Sequence, residues 1–124
     1  MTKEPVIAEK RDDAVARELL RVRISQMIIN EGNKQIPFKC PVHLALGHEA
    51  IAVALAAVRK ANDRFLLTHR NLHYNLALSS SLKKKIDEYR GSEAGEAGGK
   101  LGCMNLYNEE AGIVYTSSIL GKFS

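Results

Sequence analysis

The sequence predicts a helix-rich α/β fold, and three observations carry that prediction. Ala16, Leu20, Ile24, Met27 and Ile28 recur every three or four residues, which is the period of one apolar helix face. The run Ile51-Ala-Val-Ala-Leu-Ala-Ala-Val58 is small or apolar at every position, the pattern of a helix buried on all sides. After it, Arg64-Phe-Leu-Leu-Thr68 is a short apolar stretch bounded by polar residues, the length of a strand rather than a helix.

Size and composition suit one domain: 124 residues, 45% apolar, 26% charged and 6% aromatic. A collagen-like, coiled-coil or wholly disordered chain is excluded on those figures. The 18 Lys and Arg against 14 Asp and Glu leave a formal charge of +4, too small and too dispersed to argue for a nucleic-acid partner. The Ile51–Val58 run falls far short of the roughly 18 to 20 apolar residues a membrane span needs, so no membrane is expected. The opening Met-Thr-Lys-Glu-Pro has no apolar stretch and cleavage site behind it, and the expected location is the cytoplasm. Cys40 and Cys103 lie far apart in unrelated contexts and read as reduced thiols.

Taken in order, residues 1–12 are polar, contain Pro5 and read as a flexible arm. A helix capped by Asp12 or Asp13 then runs to about Asn30, where Glu31-Gly-Asn33 stops it, with Arg17, Arg21, Arg23 and Gln26 on its polar side. Gln35 to Leu46 holds Pro37 and Pro41 and reads as an extended connection. The buried Ala-rich helix follows, with Arg59-Lys60 complementing its dipole and Ala61-Asn-Asp63 turning out of it. The strand at 64–68 delivers His69 and Arg70 at its end, the usual place for ligand contacts in α/β proteins. Asn71–Leu78 makes a short helix, and Ser79-Ser-Ser81 offers N-caps for another through Leu82, Ile86 and Tyr89 to Gly91. Lys83-Lys-Lys85 on that helix reads as a solvated face. The Gly-rich loop at 91–102 holds five of the nine glycines, and Gly112–Gly121 makes a strand and a turn.

Of the motifs, Gly95-Glu-Ala-Gly-Gly-Lys100-Leu lacks the phosphate-loop spacing, since Ala94 and Leu101 stand where Gly and Ser or Thr are required. Cys40, His43 and His48 lack a fourth zinc ligand, and nothing supplies Cys103 with a base. His43, His69, Arg70 and His73 are the remaining candidates, as proton carriers or anion binders near element ends.

Five pieces in order, from Leu19 to Gly121, resemble one family. They are Leu19-Leu-Arg-Val-Arg23, His43-Leu-Ala-Leu-Gly-His-Glu-Ala50, Asp63–Arg70, Gly99-Lys-Leu-Gly-Cys-Met-Asn-Leu-Tyr107 and Ser118-Ile-Leu-Gly121. The chain resembles the N-terminal part of the alpha subunit of thiamine diphosphate-dependent 2-oxo-acid dehydrogenases, the decarboxylating components for pyruvate, branched-chain 2-oxo acids and acetoin. The resemblance implies the first, incomplete portion of a thiamine diphosphate-binding fold, occupying residues 13–124. It also implies an oxidoreductase subunit acting on a 2-oxo acid, with a beta subunit as partner in a hetero-oligomer. His69 and Arg70 are then implied to contact the cofactor diphosphate, a role that bidentate guanidinium and imidazole hydrogen bonds suit. His43 takes a catalytic place at the active-site mouth, and the main chain at Ser118 and Leu120 meets the aminopyrimidine ring. Glu49 reads as a helix-start residue rather than an acid–base group.

Where the family has a histidine two residues past the arginine, this sequence has Leu72, with His73 one place on. Cys103 and Asn105 stand where the family has Ser and His. Magnesium is implied with the cofactor, but the Gly-Asp-Gly motif and following asparagine that hold it do not occur in these residues. The chain by itself is therefore expected to supply no metal ligand, to bind the cofactor poorly and to be inactive. It is also expected to be weakly stable or self-associating. The alternative is a non-catalytic truncated paralogue acting as a helical interaction module.

Overall fold

The computed structural model describes residues 6–102 and 106–117 of the chain. Its order is α1 (Val6–Gln35), α2 (Glu49–Val58), β1 (Phe65–Thr68), α3 (Leu72–Leu78), α4 (Leu82–Tyr89) and β2 (Ile113–Ser117). The helix-rich α/β class is thus present, as three helices packed on one another beside a small parallel sheet. β1 and β2 pair in parallel, Thr68 opposite Ser117, so a crossover through α3, α4 and the Gly-rich loop must join them.

α1 is longer than its sequence signals suggest. It begins at Val6, so residues 6–12 are helical where an arm was expected, and it passes Asn30 to end at Gln35. Its orientation is also the reverse of the expected one. The stripe Leu20, Ile24, Met27 and Ile28 is about half exposed, and the buried face is Val22, Ser25, Gln26 and Ile29. Both sets recur at helical spacing, so α1 carries an apolar stripe on one side and a mixed stripe on the other. Periodicity alone cannot say which side meets the core. Gln26 decides it, because its amide is spent on buried backbone and carboxylate partners rather than on water.

α2 is likewise covered on one side only. Glu49, Ala52 and Val53 are buried, while Ile51 and Val58 are 58% and 73% exposed, so the expectation of a helix buried all round does not hold. Composition reports what a surface tolerates, and here only the side against α1 and α3 finds apolar neighbours.

The main core joins Val22 and Ile29 of α1, Val53 of α2, Leu72 and Leu76 of α3 and Tyr89 of α4. Phe38, from the connection after α1, stacks on Tyr89 with ring centres 5.6 Å apart. A second cluster, Leu78, Leu106, Ala111 and Ile113, seats the sheet. Arg59, just past α2, fastens that cluster by donating to the carbonyl oxygens of Ala111 (2.8 Å) and Leu78 (3.4 Å). It therefore serves the end of α3 more than its own helix. Gly112 enters β2 with a φ of +73°, and a Cβ there would lie 2.7 Å from the Asp63 carbonyl oxygen. Only glycine lets the two strands start side by side.

The lysine run on α4 splits by face. Lys83 and Lys84 are exposed, but Lys85 is wholly buried, so the solvated-face reading fails at that residue. Leu82, Lys85, Ile86 and Tyr89 form one i, i+3, i+4, i+7 stripe, which puts Lys85 among the core positions. Ser81 caps α4 as its sequence suggests, accepting from the Lys84 amide at 3.3 Å.

Candidate functional site

The C-terminal end of β1, the connection after α1 and the start of α3 converge on one place. Asn71, almost wholly buried, donates to the carbonyl oxygens of Thr68 (3.0 Å) and His69 (3.4 Å), and so fixes the turn that carries His69 and Arg70. His69 meets His43 edge to face, with ring centres 5.3 Å apart. Arg70 reaches back and donates to the carbonyl oxygen of Leu44, next to His43. Sequence positions 26 residues apart are thereby held in one constellation.

The other two histidines sit beside it. His48 and His73 also meet edge to face at 6.1 Å, and His73 lies against Tyr74 at 4.1 Å. All four histidines of the chain thus stand in two facing pairs around the β1 end. Burial pushes the His73 imidazole down to about 4, with the nearby His48 acting the same way, so it is neutral at pH 7. The Nδ1 atoms of His69 and His73 are both buried without a hydrogen-bond partner. Leu72, at the position where a family histidine was missed, is a core residue with its side chain in the main cluster.

Beneath the histidines lies a network that the sequence did not announce. Glu49 opens α2 and is buried, and Arg23 of α1 pairs with it. The amide of Gln26 donates to its Oε1 at 3.2 Å and the Gly47 N–H to its Oε2 at 2.9 Å. The hydrogen bond from Arg23 is the main reason that its carboxyl titrates at about 2. Gln26 in turn accepts from the Ala45 amide at 2.6 Å, which fixes the connection carrying His43. Glu49 is therefore a positioning group at a helix start, and Arg23 and Gln26 were legible only as an unassigned polar side of α1.

His43, His69 and Arg70 are brought together, whereas Ser118 and Leu120 lie outside the described residues. So do Cys103 and Asn105. Thr68 and Ser117 are register partners, so β1 and β2 finish at one edge of the sheet. Among the described residues no cluster of three or more His, Cys, Asp and Glu could hold a metal ion. No described helix is long and apolar enough to cross a membrane. An exposed guanidinium beside an orphaned buried imidazole nitrogen is a donor set that suits an anion such as a diphosphate.

Residues 16–123 match the family described as Dehydrogenase E1 component. The chain belongs to that E1 family. It is 30% identical over 79 residues to the mitochondrial pyruvate dehydrogenase E1 component subunit alpha-1 of Arabidopsis thaliana, covering 64% of this chain and 20% of that protein. It is 31% identical over 80 residues to the alpha subunit of acetoin:2,6-dichlorophenolindophenol oxidoreductase of Bacillus subtilis, covering 64% and 24%. With the rice pyruvate dehydrogenase E1 component subunit alpha-1 the identity is 32% over 79 residues. The chain spans about a fifth to a quarter of the length of these relatives. No solved structure matches. The E1 alpha-subunit resemblance read from the five sequence pieces is borne out, and the family is thiamine diphosphate-dependent.

Proposed function

We propose that this chain forms the diphosphate-binding edge of the alpha subunit of a thiamine diphosphate-dependent 2-oxo-acid decarboxylating dehydrogenase, an oxidoreductase that works with a beta subunit. The observation that carries the reading is the constellation at the end of β1, inside a family match over residues 16–123. Arg70 presents a guanidinium fork for phosphate oxygens, with one nitrogen steadied by Leu44. His69 offers its orphaned Nδ1 beside it, and the edge-to-face contact with His43 sets the ring plane. His43 is the imidazole at the mouth of the site, held against His69. Ser118 and Leu120 would contribute main-chain contacts to the aminopyrimidine ring.

Thiamine diphosphate, when bound, supplies the carbanion-stabilising chemistry of 2-oxo-acid decarboxylation, and the protein supplies binding and orientation. The magnesium that accompanies the cofactor in this family would have to be held by residues other than those described. The Asn71 clamp holds the turn that carries His69 and Arg70, and the Glu49 network holds the connection that carries His43.

Diphosphate binding can be tested apart from turnover. Millimolar thiamine diphosphate with Mg²⁺, titrated into the chain, is expected to shift the His43 and His69 imidazole NMR signals, and Arg70→Ala is expected to abolish the shift. Signals that do not move, or that move equally in Arg70→Ala, overturn the assignment.

A further inference from the structure

A sealed polar cluster lies against α3, and the proposed site uses none of its members. The Lys85 ammonium of α4 donates to Ser79 Oγ at 2.5 Å and to Glu96 Oε1 at 2.9 Å. Asn75 of α3 donates to Glu96 Oε2 at 3.1 Å, and the Asn108 amide donates to Asn75 Oδ1 at 2.8 Å and to Glu96 Oε1 at 3.2 Å. All five side chains are buried by parts of this chain and partnered within it, so no further segment is needed to complete the cluster.

A buried ion pair is a poor device for stability alone, because apolar side chains of similar volume commonly serve as well or better. A fully satisfied polar cluster does something that apolar packing does not, which is to admit a single arrangement. The part of the fold that most needs a single arrangement is β2. It returns from a crossover rich in glycine, and Ile113-Val-Tyr115 is apolar at three successive positions, so a slip of one residue would still present an apolar side chain to the core. The pairing also holds one extra residue: Ile113 stands opposite Phe65 but Tyr115 opposite Leu66, which leaves Val114 between them. A slip of one residue would move the end of β2 by about 3.3 Å relative to Thr68.

Asn108 carries the geometry of the cluster to that strand. Its Nδ2 is held by Asn75 and Glu96, and its Oδ1 accepts from the Ala111 amide at 3.3 Å. Its main chain exchanges two hydrogen bonds with Ile113, at 3.0 and 2.9 Å, and Ile113 is the residue that pairs with Phe65. Glu96 is thereby linked to the sheet register through Asn108 and Ile113. We propose that Lys85, Glu96 and Asn108 are positioning residues that set the register of β2 on β1, and with it the place where the end of β2 stands relative to His69 and Arg70. The consequence for the site rests on the diphosphate reading, whereas the register does not.

Interstrand backbone NOEs in the 124-residue chain report the register without any ligand, so this test and the diphosphate titration can fail separately. The parent chain is expected to show one set, with Phe65 against Ile113 and Thr68 against Ser117. Asn108→Leu, which keeps the ion pair but cuts its link to β2, is expected to split the β1–β2 NOEs into more than one set at unchanged helix content. Lys85→Met combined with Glu96→Leu, an apolar pair in place of the charged one, is expected to split them too. Val22→Ala, a cavity in the main core, is expected to lower the urea midpoint and leave one set. A single parental set in Asn108→Leu, or in a folded double variant, would show that Gly112 and the apolar contacts suffice, and it overturns the proposal. Splitting in Val22→Ala overturns it as well, because the register would then merely follow stability. A double variant that does not fold leaves Asn108→Leu to decide by the same NOEs.

Discussion

Two buried carboxylates of this chain are neutralised in different ways. Glu49, under the histidine pairs, faces Arg23, whose side chain is 47% exposed, and the rest of its hydrogen bonds come from Gln26 and the Gly47 amide. Glu96, in the Gly-rich loop, faces Lys85, and this pair is sealed, at 5% and 0% exposure. Around it Asn75 and Asn108 donate to Glu96 at 3.1 and 3.2 Å, and the Lys85 ammonium also reaches Ser79 at 2.5 Å and the Ser81 carbonyl at 3.2 Å. Burial pushes the Lys85 ammonium down from its ordinary value, against the opposing pull of Glu96. A pair open to water can lose one partner and recover hydration. A sealed pair cannot.

The largest expected effect follows from that asymmetry. Lys85→Met should cost about 3 to 5 kcal/mol in urea unfolding, because it strands Glu96 without a counter-charge in the interior. α3 carries Asn75 toward this network and His73 toward the site, so loosening one end should also broaden the His73 signals. A loss under about 1 kcal/mol would mean that water reaches Glu96 and that the two pairs do not differ. Glu49→Ala comes next, at about 1 to 3 kcal/mol, the cost of leaving the Gln26 and Gly47 donors buried without an acceptor. Arg23→Ala should cost less than Glu49→Ala, since Glu49 keeps those two donors. The reverse order would show that the guanidinium, rather than the carboxylate, organises the connection to His43.

That contrast also explains what the sequence made legible. Pro37 and Pro41, the strand-length run before His69, the Ser81 cap and the loop glycines are local signals, and the structure follows each of them. The meeting of His69 and Arg70 with His43 was implied only by resemblance, because a contact over 26 residues of sequence has no local signature. Burial was where local reasoning failed. Leu20 and Ile24 face outward and Gln26 inward because the choice between two helix faces depends on tertiary partners. Lys85 was misread for the neighbouring reason that a triplet of lysines advertises charge, although Leu82, Ile86 and Tyr89 already marked its face as internal.

Acid should resolve two groups within the histidine region, His73 and the Glu49 beneath it. The His73 imidazole titrates at about 4 in the folded chain and near 6.5 when unfolded, so between those values the unfolded state binds more protons. Stability contributed by neutral His73 is complete above pH 6.5 and is lost as pH falls through about 4. Glu49, held at about 2 against an ordinary 4.5, contributes stability that is complete above 4.5 and is lost as pH falls toward 2. His73→Gln should flatten the upper part of the acid profile and leave the lower part intact. An unchanged slope between pH 6.5 and 4 in His73→Gln would place its ring in water.

The smallest effect sharpens the comparison most economically, because it needs a residue two positions from Lys85. Lys83 also pairs with a carboxylate, Asp87, at 2.6 Å and at i, i+4 spacing, and its contact is shorter than the 2.9 Å between Lys85 and Glu96. Its side chain is 81% exposed. If distance governed the energy, Lys83→Ala would be the worse substitution. Because water screens a pair whose lysine end stands in solvent and whose aspartate, at 19% exposure, is still reached by it, Lys83→Ala should shift stability by no more than about 0.5 kcal/mol and the shift should shrink in high salt. Lys85→Met measured beside it at the same salt should be nearly insensitive to salt, since ions do not enter the sealed network. Equal losses for the two lysines would remove the distinction between open and sealed pairs on which the ordering of the larger effects rests.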